Sequence, residues 1–104
     1  MVDYELIALR KEFLEEARDK VREIDSTLGN TQTSESLDRL AYLAHQLKGS
    51  GGSYGYQRIS DESAELEKAF ETMATGETKD GVDGAVREHV KALQQEIEQG
   101  LGEL

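Results

Sequence analysis

Apolar side chains recur every three or four residues along most of the chain, which is the spacing of one buried face on an α-helix. Four such segments are separated by short polar stretches that contain glycine. The predicted helices run from Asp3 to about Leu28, from a cap at Thr33, Ser34 or Ser36 to about Gly52, from Tyr56 or Gln57 to Met73, and from a cap at Asp80 to about Leu101. Four amphipathic helices with short connections predict an all-α fold, an antiparallel up-down-up-down four-helix bundle that forms a single domain over residues 1–104.

The buried faces are predicted from the same spacing. For the four helices in turn they comprise Leu6, Leu9, Phe13, Ala17, Ile24 and Leu28; Leu37, Leu40, Ala44, Leu47 and Gly51; Ile59, Ser63, Leu66, Phe70 and Met73; and Val82, Val86, Val90, Leu93 and Ile97. Ile7 and Leu14 lie about 80–100° from the first stripe, so they either widen the core face or form an exposed patch for a partner.

Smaller features of the pattern give further expectations. Glu16 and Lys20 have the i,i+4 spacing of a helical ion pair. Residues 53–55 are predicted to form a turn and residues 75–81 a polar linker. Gly100 and Gly102 predict a frayed end for the last helix.

Composition and charge narrow the possible functions. The 104 residues include no cysteine, and 22 acidic against 12 basic residues give a net charge of −10. A disulfide framework and a cysteine-based zinc site are therefore excluded, and the charge argues against a nucleic acid as partner, because the acidic chain would repel a phosphate backbone. No apolar run is long enough to span a membrane and no signal peptide is visible, so we expect a cytoplasmic monomer that contacts no membrane.

The second helix contains an unusual concentration of glycine. Gly49, Gly51 and Gly52 fall inside the amphipathic pattern, although each glycine in a helix costs about 1 kcal/mol relative to alanine. Gly51 continues the apolar stripe, whereas the other two lie on the outer face that also carries His45 and Lys48. The pattern therefore predicts an exposed imidazole beside an ammonium, cleared of bulk so that another macromolecule can approach it.

These residues resemble the signature of histidine-containing phosphotransfer (HPt) domains, which are four-helix modules of phosphorelays. The resemblance is carried by His45-x-Leu47-Lys48-Gly49-x-x-Gly52-x-x-Gly55, with Ala44 before the histidine and Ala64-Glu65-Leu66-Glu67 further on. It implies that the Nε2 atom of His45 accepts a phosphoryl group and that Lys48 stabilises it.

The resemblance also assigns roles to other residues and to partners. It implies that Glu67 holds the other ring nitrogen of the imidazole, since the family carries glutamate or glutamine at this offset. Gly49, Gly52 and Ala41 are expected to form the surface that a partner approaches. The implied partners are response-regulator receiver domains and a histidine kinase. The chain itself needs no cofactor, because the Mg²⁺ is expected on the receiver.

The chain contains no nucleotide-binding loop, so we expect a phosphoryl carrier and not an enzyme. One alternative is the phosphotransfer domain of a chemotaxis-type kinase, phosphorylated from ATP by a separate kinase domain. Tyr54, Tyr56 and Glu67 resemble that branch, although Ala64 stands where a second histidine is often found. Another alternative is a helical adaptor that transfers no phosphate.

For the remaining candidate residues a structural role is expected. His89 has no histidine or cysteine at ligand spacing, so it is interpreted as a surface or packing residue, and Tyr42, Tyr54 and Tyr56 are expected to pack. Paired Glu-x-x-His motifs are missing, which argues against a metal-binding bundle.

Overall fold

The computed structural model describes residues 2–76 and 82–104, with the side chain of Val82 also outside the description. Every regular element in these ranges is a helix. The four helices are α1 (Tyr4–Leu28), α2 (Ser34–Ser53), α3 (Gln57–Ala74) and α4 (Val82–Gly102). The predicted all-α four-helix fold is confirmed. The predicted cap at Asp80, the burial of Val82 and most of the predicted linker lie outside the described residues.

Neighbouring helices run antiparallel, and each helix packs against the one before and the one after it, with α1 and α4 closing the ring. Cross-helix contacts show the direction, because residue numbers rise along one helix as they fall along the other. Such contacts join Phe13 to Tyr54 and Glu23 to Arg39 for α1 and α2, Arg58 to Glu96 and Glu62 to His89 for α3 and α4, and Leu14 to Gly100 and Arg18 to Glu98 for α1 and α4. No described helix is both long and apolar enough to cross a membrane.

Side-chain caps mark the first turns of α1 and α2, and both helices begin close to the predicted positions. Asp3 caps α1 by accepting a hydrogen bond from the Leu6 amide at 3.0 Å. Thr33, one of three predicted candidates, caps α2, where it and Ser36 exchange side-chain-to-backbone hydrogen bonds of 3.0 and 2.8 Å. Together these caps satisfy amide groups that would otherwise lack partners at the start of each helix.

The core is built from the predicted stripes of α2, α3 and α4. Every described member of those stripes is buried except Met73, which is partly buried. The cluster also contains Leu43, which the predicted stripe omitted. The apolar spacing therefore predicted the buried face correctly for three of the four helices.

The predicted face of α1 is wrong over its first two turns. Leu6 and Leu9 are 37% and 43% exposed, whereas Leu14, placed off the stripe, is fully buried. The reason is the length of α1: Phe13 stacks on Tyr54 in the α2–α3 turn, with ring centroids 5.1 Å apart. Residues before Arg10 extend past that turn, where α2 and α3 offer no surface to cover them. Leu14 thus widens the core, Ile7 is only partly buried, and the exposed leucines of α1 are Leu6 and Leu9.

The last turns of α4 are not frayed at Gly100. The helix continues to Gly102, and Gly100 is buried. A Cβ atom at this position would lie 3.1 Å from the Cδ1 atom of Leu14, which is too close for an ordinary contact. Glycine is present here because α1 and α4 approach closely, and this corrects the predicted reason for it.

Candidate functional site

His45 lies on the outer face of α2, as its angle from the apolar stripe predicts. Its side chain is 65% exposed, while the adjacent stripe members Ala44 and Leu47 are completely buried. Regular helical geometry is enough to produce this contrast, because burial of the stripe fixes the rotation of α2. The imidazole therefore faces solvent.

Glu67 reaches the imidazole from α3. Its Oε2 atom lies 2.8 Å from the Nδ1 atom of His45, and its side chain is only 16% exposed. An ionised carboxylate only accepts hydrogen bonds, so this contact places the ring proton on Nδ1. The lone pair of a neutral ring then lies on Nε2, the nitrogen that does not face Glu67.

Lys48 shares the same carboxylate. Its Nζ atom lies 3.1 Å from Oε1 of Glu67, so the two oxygens of one side chain bind the histidine and the lysine separately. The structure thus brings together the histidine predicted to accept a phosphoryl group, the lysine predicted to stabilise it and the glutamate predicted to orient the imidazole. The ammonium of Lys48 is thus held in an ion pair with the glutamate.

A close approach of α2 and α3 holds this geometry. A Cβ atom at Gly51 would lie 3.1 Å from the Ser60 amide nitrogen and 3.3 Å from the Tyr56 carbonyl oxygen. Beside it, the Ser60 hydroxyl donates a 2.8 Å hydrogen bond to the Lys48 carbonyl oxygen. Backbone atoms cannot yield as a flexible side chain can, so glycine is required at position 51 for the helices to pack this closely.

The turn that returns α3 alongside α2 needs glycine for a different reason. Gly55 has a φ of +86°, in the left-handed region that L side chains rarely adopt. Tyr54 and Tyr56 flank it and both stack on Phe13. The packing role predicted for these two tyrosines is confirmed.

Gly49 and Gly52, by contrast, are not required by the packing of this chain. A Cβ atom at Gly49 would meet no heavy atom within 4 Å, and one at Gly52 would make an ordinary 3.7 Å contact with the Ser60 hydroxyl. Ala41 lies one turn before His45 and is partly buried against the core. These three residues carry little or no side chain, so no bulky group stands beside the imidazole at their positions. That another protein approaches the site there stays a prediction.

An open groove of about 560 Å³ lies beside His45 on the side of α1. It is lined by Lys20 of α1 and by residues of α2 and the following turn, among them His45, Gln46, Gly49 and Ser53. The sequence did not predict that Lys20 lies beside His45; the i,i+4 spacing predicted an ion pair with Glu16 instead. The ion pairs of the described residues do not include that pair, although they include Lys11 with Glu15 at the same spacing. No sequence signal places a residue of α1 beside His45, because the spacing along one helix does not encode its register against another.

A bidentate ion pair joins α1 and α2 near the groove. The Arg39 guanidinium donates hydrogen bonds of 2.8 and 3.2 Å to Glu23. These hydrogen bonds lower the pKa of Glu23 below its ordinary value, and slight burial opposes the shift only in part. The neighbouring Tyr42 is exposed, so the packing role predicted for it is wrong; its hydroxyl accepts a 2.7 Å hydrogen bond from Gln46.

The other histidine forms a second pair with a carboxylate. His89 is partly buried on α4, and its Nδ1 atom lies 2.5 Å from Oε2 of Glu62 on α3. The predicted surface or packing role agrees with this position, but the partner was not anticipated. Within the ranges that the structure describes, no three histidine or acidic residues form a group that could hold a metal ion.

Comparison with known proteins identifies one related family. A family model described as "Hpt domain" matches residues 8–100, nearly the whole chain. The matched range includes His45, Lys48 and Glu67. No curated protein and no solved structure gives a significant match.

Proposed function

The chain belongs to the Hpt domain family, and we propose that His45 is the residue through which it takes part in histidine phosphotransfer. Hpt domains are phosphocarriers that interact with kinase and receiver domains in two-component and phosphorelay signalling. The finer proposal is that His45 accepts a phosphoryl group from the aspartyl phosphate of one receiver domain and passes it to the aspartate of another. The observation that carries it is the 2.8 Å contact between Nδ1 and Glu67, which leaves Nε2 exposed with its lone pair.

In the proposed transfer, the Nε2 lone pair forms a bond to phosphorus. The bond between phosphorus and the aspartyl oxygen breaks, and the partner's aspartate leaves as a carboxylate with that electron pair. The ring becomes positively charged as its lone pair is used, while the Nδ1 proton remains in the hydrogen bond to Glu67. The carboxylate therefore stabilises the charge that develops during the step, in addition to fixing the tautomer.

Lys48 has a complementary role in this proposal. Its ammonium is one helical turn from the imidazole and paired with Glu67, so a small rotation of its side chain would bring it to a phosphoryl oxygen. Phosphoryl transfer relies on neutralising charge at the transferred group. The acidic pocket and the Mg²⁺ that serve this need at the aspartate are assigned to the receiver.

Two histidines in one chain allow a sharp test of the acceptor. The protein would be incubated with a receiver domain charged by acetyl phosphate, and bound phosphate would be measured by intact mass before and after mild acid. Wild type and His89→Gln are expected to gain one acid-labile phosphate, and His45→Gln none. Labelling of His45→Gln at the wild-type level would refute the assignment.

The phosphotransfer domain of a chemotaxis-type kinase is a second candidate, favoured by glutamate rather than glutamine at position 67. Tyr54 and Tyr56 do not strengthen it, because both pack on Phe13 inside the bundle. Incubation with a separate kinase domain and ATP, compared with incubation with a charged receiver, distinguishes the two donors. A His45→Gln variant that kept full signalling output would instead favour an adaptor that transfers no phosphate.

A further inference from the structure

The charges around His45 are balanced only before phosphorylation. The positive charge of Lys48 is paired with the negative charge of Glu67 at 3.1 Å. A phosphoryl group brings close to two negative charges at neutral pH, and the positive charge of a ring that keeps its Nδ1 proton offsets only one of them. The chain as a whole carries a net charge of −10, so the compensating charge must come from a particular basic side chain near His45 and not from the overall charge of the chain. A phosphorylated His45 therefore calls for a second cation.

Lys20 is the cation that the fold places in the groove beside His45. It lies on α1, is partly buried, and lines the groove together with His45 and Gly49. Among residues 2–76 and 82–104, Lys20 forms no ion pair and no side-chain hydrogen bond, although Glu16 and Glu23 stand four residues before it and three after it. Glu23 is instead bound through both carboxylate oxygens by Arg39.

The orientation of the imidazole favours the same side. Nδ1 faces Glu67 on α3, so Nε2 lies away from α3 and the phosphoryl group extends from that end of the ring. The groove lies on the α1 side of α2, and the bare backbone at Gly49 leaves it open beside the ring. The groove, at about 560 Å³, is large enough for a phosphoryl group and the end of a lysine side chain.

We propose that a phosphoryl group on His45 lies in the groove between α1 and α2, where the ammonium of Lys20 binds its oxygens. This inference rests on the proposed phosphorylation of His45 and adds to it a residue outside the sequence signature. Two cations then approach the group from opposite sides, Lys48 from the α3 side and Lys20 from α1. The ion pair between Glu23 and Arg39 fixes α1 against α2 one turn away and thereby keeps Lys20 in reach.

The test uses phosphoramidate, a small donor that needs no partner protein. The Nε2 lone pair forms a bond to phosphorus, the phosphorus–nitrogen bond of phosphoramidate breaks, and ammonia leaves with that electron pair, because the donor nitrogen is already protonated in the zwitterionic form of phosphoramidate. The phosphorylated wild type, Lys20→Gln, Lys20→Arg and the control Lys11→Gln are then titrated by phosphorus NMR. Lys11 is the matched control because it is an exposed lysine of the same helix that is paired with Glu15.

A nearby ammonium favours the more highly charged form of the phosphoryl group, so its loss raises the midpoint of the phosphoryl titration. For a unit charge about 5 Å away at an exposed site, the expected rise in Lys20→Gln is roughly 0.3–0.7 pH unit at moderate salt. Lys20→Arg is expected to have the wild-type midpoint because arginine keeps the positive charge. Lys11→Gln is also expected to have it, because the charge lost there is remote from the phosphoryl group. The rate of charging by the anionic donor should fall severalfold in Lys20→Gln alone.

The outcomes separate this inference from the proposed function. If wild type is charged at His45 but Lys20→Gln has the wild-type midpoint and rate, the role of Lys20 is refuted and the phosphorylation stands. An equal shift in Lys11→Gln, or in Lys20→Arg, would also refute it, because the effect would not follow the local charge. If wild type is not charged at His45, the proposed function fails first. Thermal unfolding of each variant shows whether a shift arises from a damaged fold.

Discussion

The surface beside His45 allows stability and phosphotransfer to be changed in opposite directions by one substitution. Gly49 lies inside α2, and a Cβ atom there would meet no heavy atom within 4 Å. Gly49→Ala should therefore gain the helix propensity of alanine, about 1 kcal/mol, without any loss in packing. For a domain of this size the gain corresponds to a rise in melting temperature of about 4–8 °C.

The same added group should obstruct a protein donor. Position 49 follows His45 by one turn on the same face, where a receiver must bring phosphorus to about 3 Å from Nε2. A misplacement of about 1 Å in such a step costs on the order of 100-fold in rate. We expect Gly49→Ala to slow transfer from a charged receiver measurably, and Gly49→Gln, with its longer side chain, to slow it by at least about tenfold. Charging by phosphoramidate should change little, because the small donor fits beside the added side chain.

Three measurements on each variant check this reasoning: thermal unfolding, the rate of transfer from a charged receiver, and the rate of charging by phosphoramidate. Gly84→Ala is the matched control, since a Cβ atom there also meets nothing within 4 Å and α4 does not carry the site. Gly51→Ala should instead lower the free energy of unfolding by about 1 kcal/mol, because overpacking against the backbone outweighs the propensity gain. If Gly49→Gln transferred phosphate from the receiver at the wild-type rate, the interpretation of Gly49 as an access position would be refuted.

Further predictions concern the carboxylates. Glu67→Ala should slow charging by phosphoramidate by roughly 100-fold, the lower end of the range for loss of a positioned acid–base partner, while Glu67→Gln, which still accepts a hydrogen bond, should fall between it and wild type. His89→Gln should lower the free energy of unfolding in urea by about 1–2 kcal/mol, because Glu62 loses a charge-assisted bond, yet leave charging unchanged. Because Arg39 lowers the pKa of Glu23 in the folded state, the stability from this pair is present above the unfolded-state pKa and is lost as pH falls through the folded-state value. Urea unfolding at a series of acidic pH values should therefore depend less steeply on pH in Glu23→Gln than in wild type; equal slopes would contradict the assigned cause.

The sequence was most informative where one helix suffices to determine the geometry. Burial of the α2 stripe fixes the rotation of that helix, so the exposure of His45 follows from spacing alone. The approach of Glu67 could also be predicted, because the turn between α2 and α3 is short and its position is marked by Gly55. A short turn leaves little freedom in how the second helix returns.

Features that depend on two helices distant in sequence could not be predicted. The exposure of Leu6 and Leu9 reflects how far α1 extends past the α2–α3 turn, and apolar spacing contains no information on relative length. The position of Lys20 beside His45 and the tight contact at Gly100 likewise depend on the register of α1 against its neighbours. A local rule, that glycine frays a helix end, gave the wrong reason for Gly100 because tertiary packing overrides it.

The close contact at Gly51 also determines how the site responds to a change in the angle between α2 and α3. A side chain at position 51 would meet the backbone of α3, so the two helices are closest at that point. The imidazole of His45 lies six residues away, about 9 Å along the helix axis. A tilt of about 10° would thus displace Glu67 by about 1.6 Å relative to the ring, enough to break a bond of 2.8 Å. The contact between His45 and Glu67 is therefore sensitive to the angle at which α3 packs on α2, and a substitution at Gly51 that changed this angle would be felt at the imidazole.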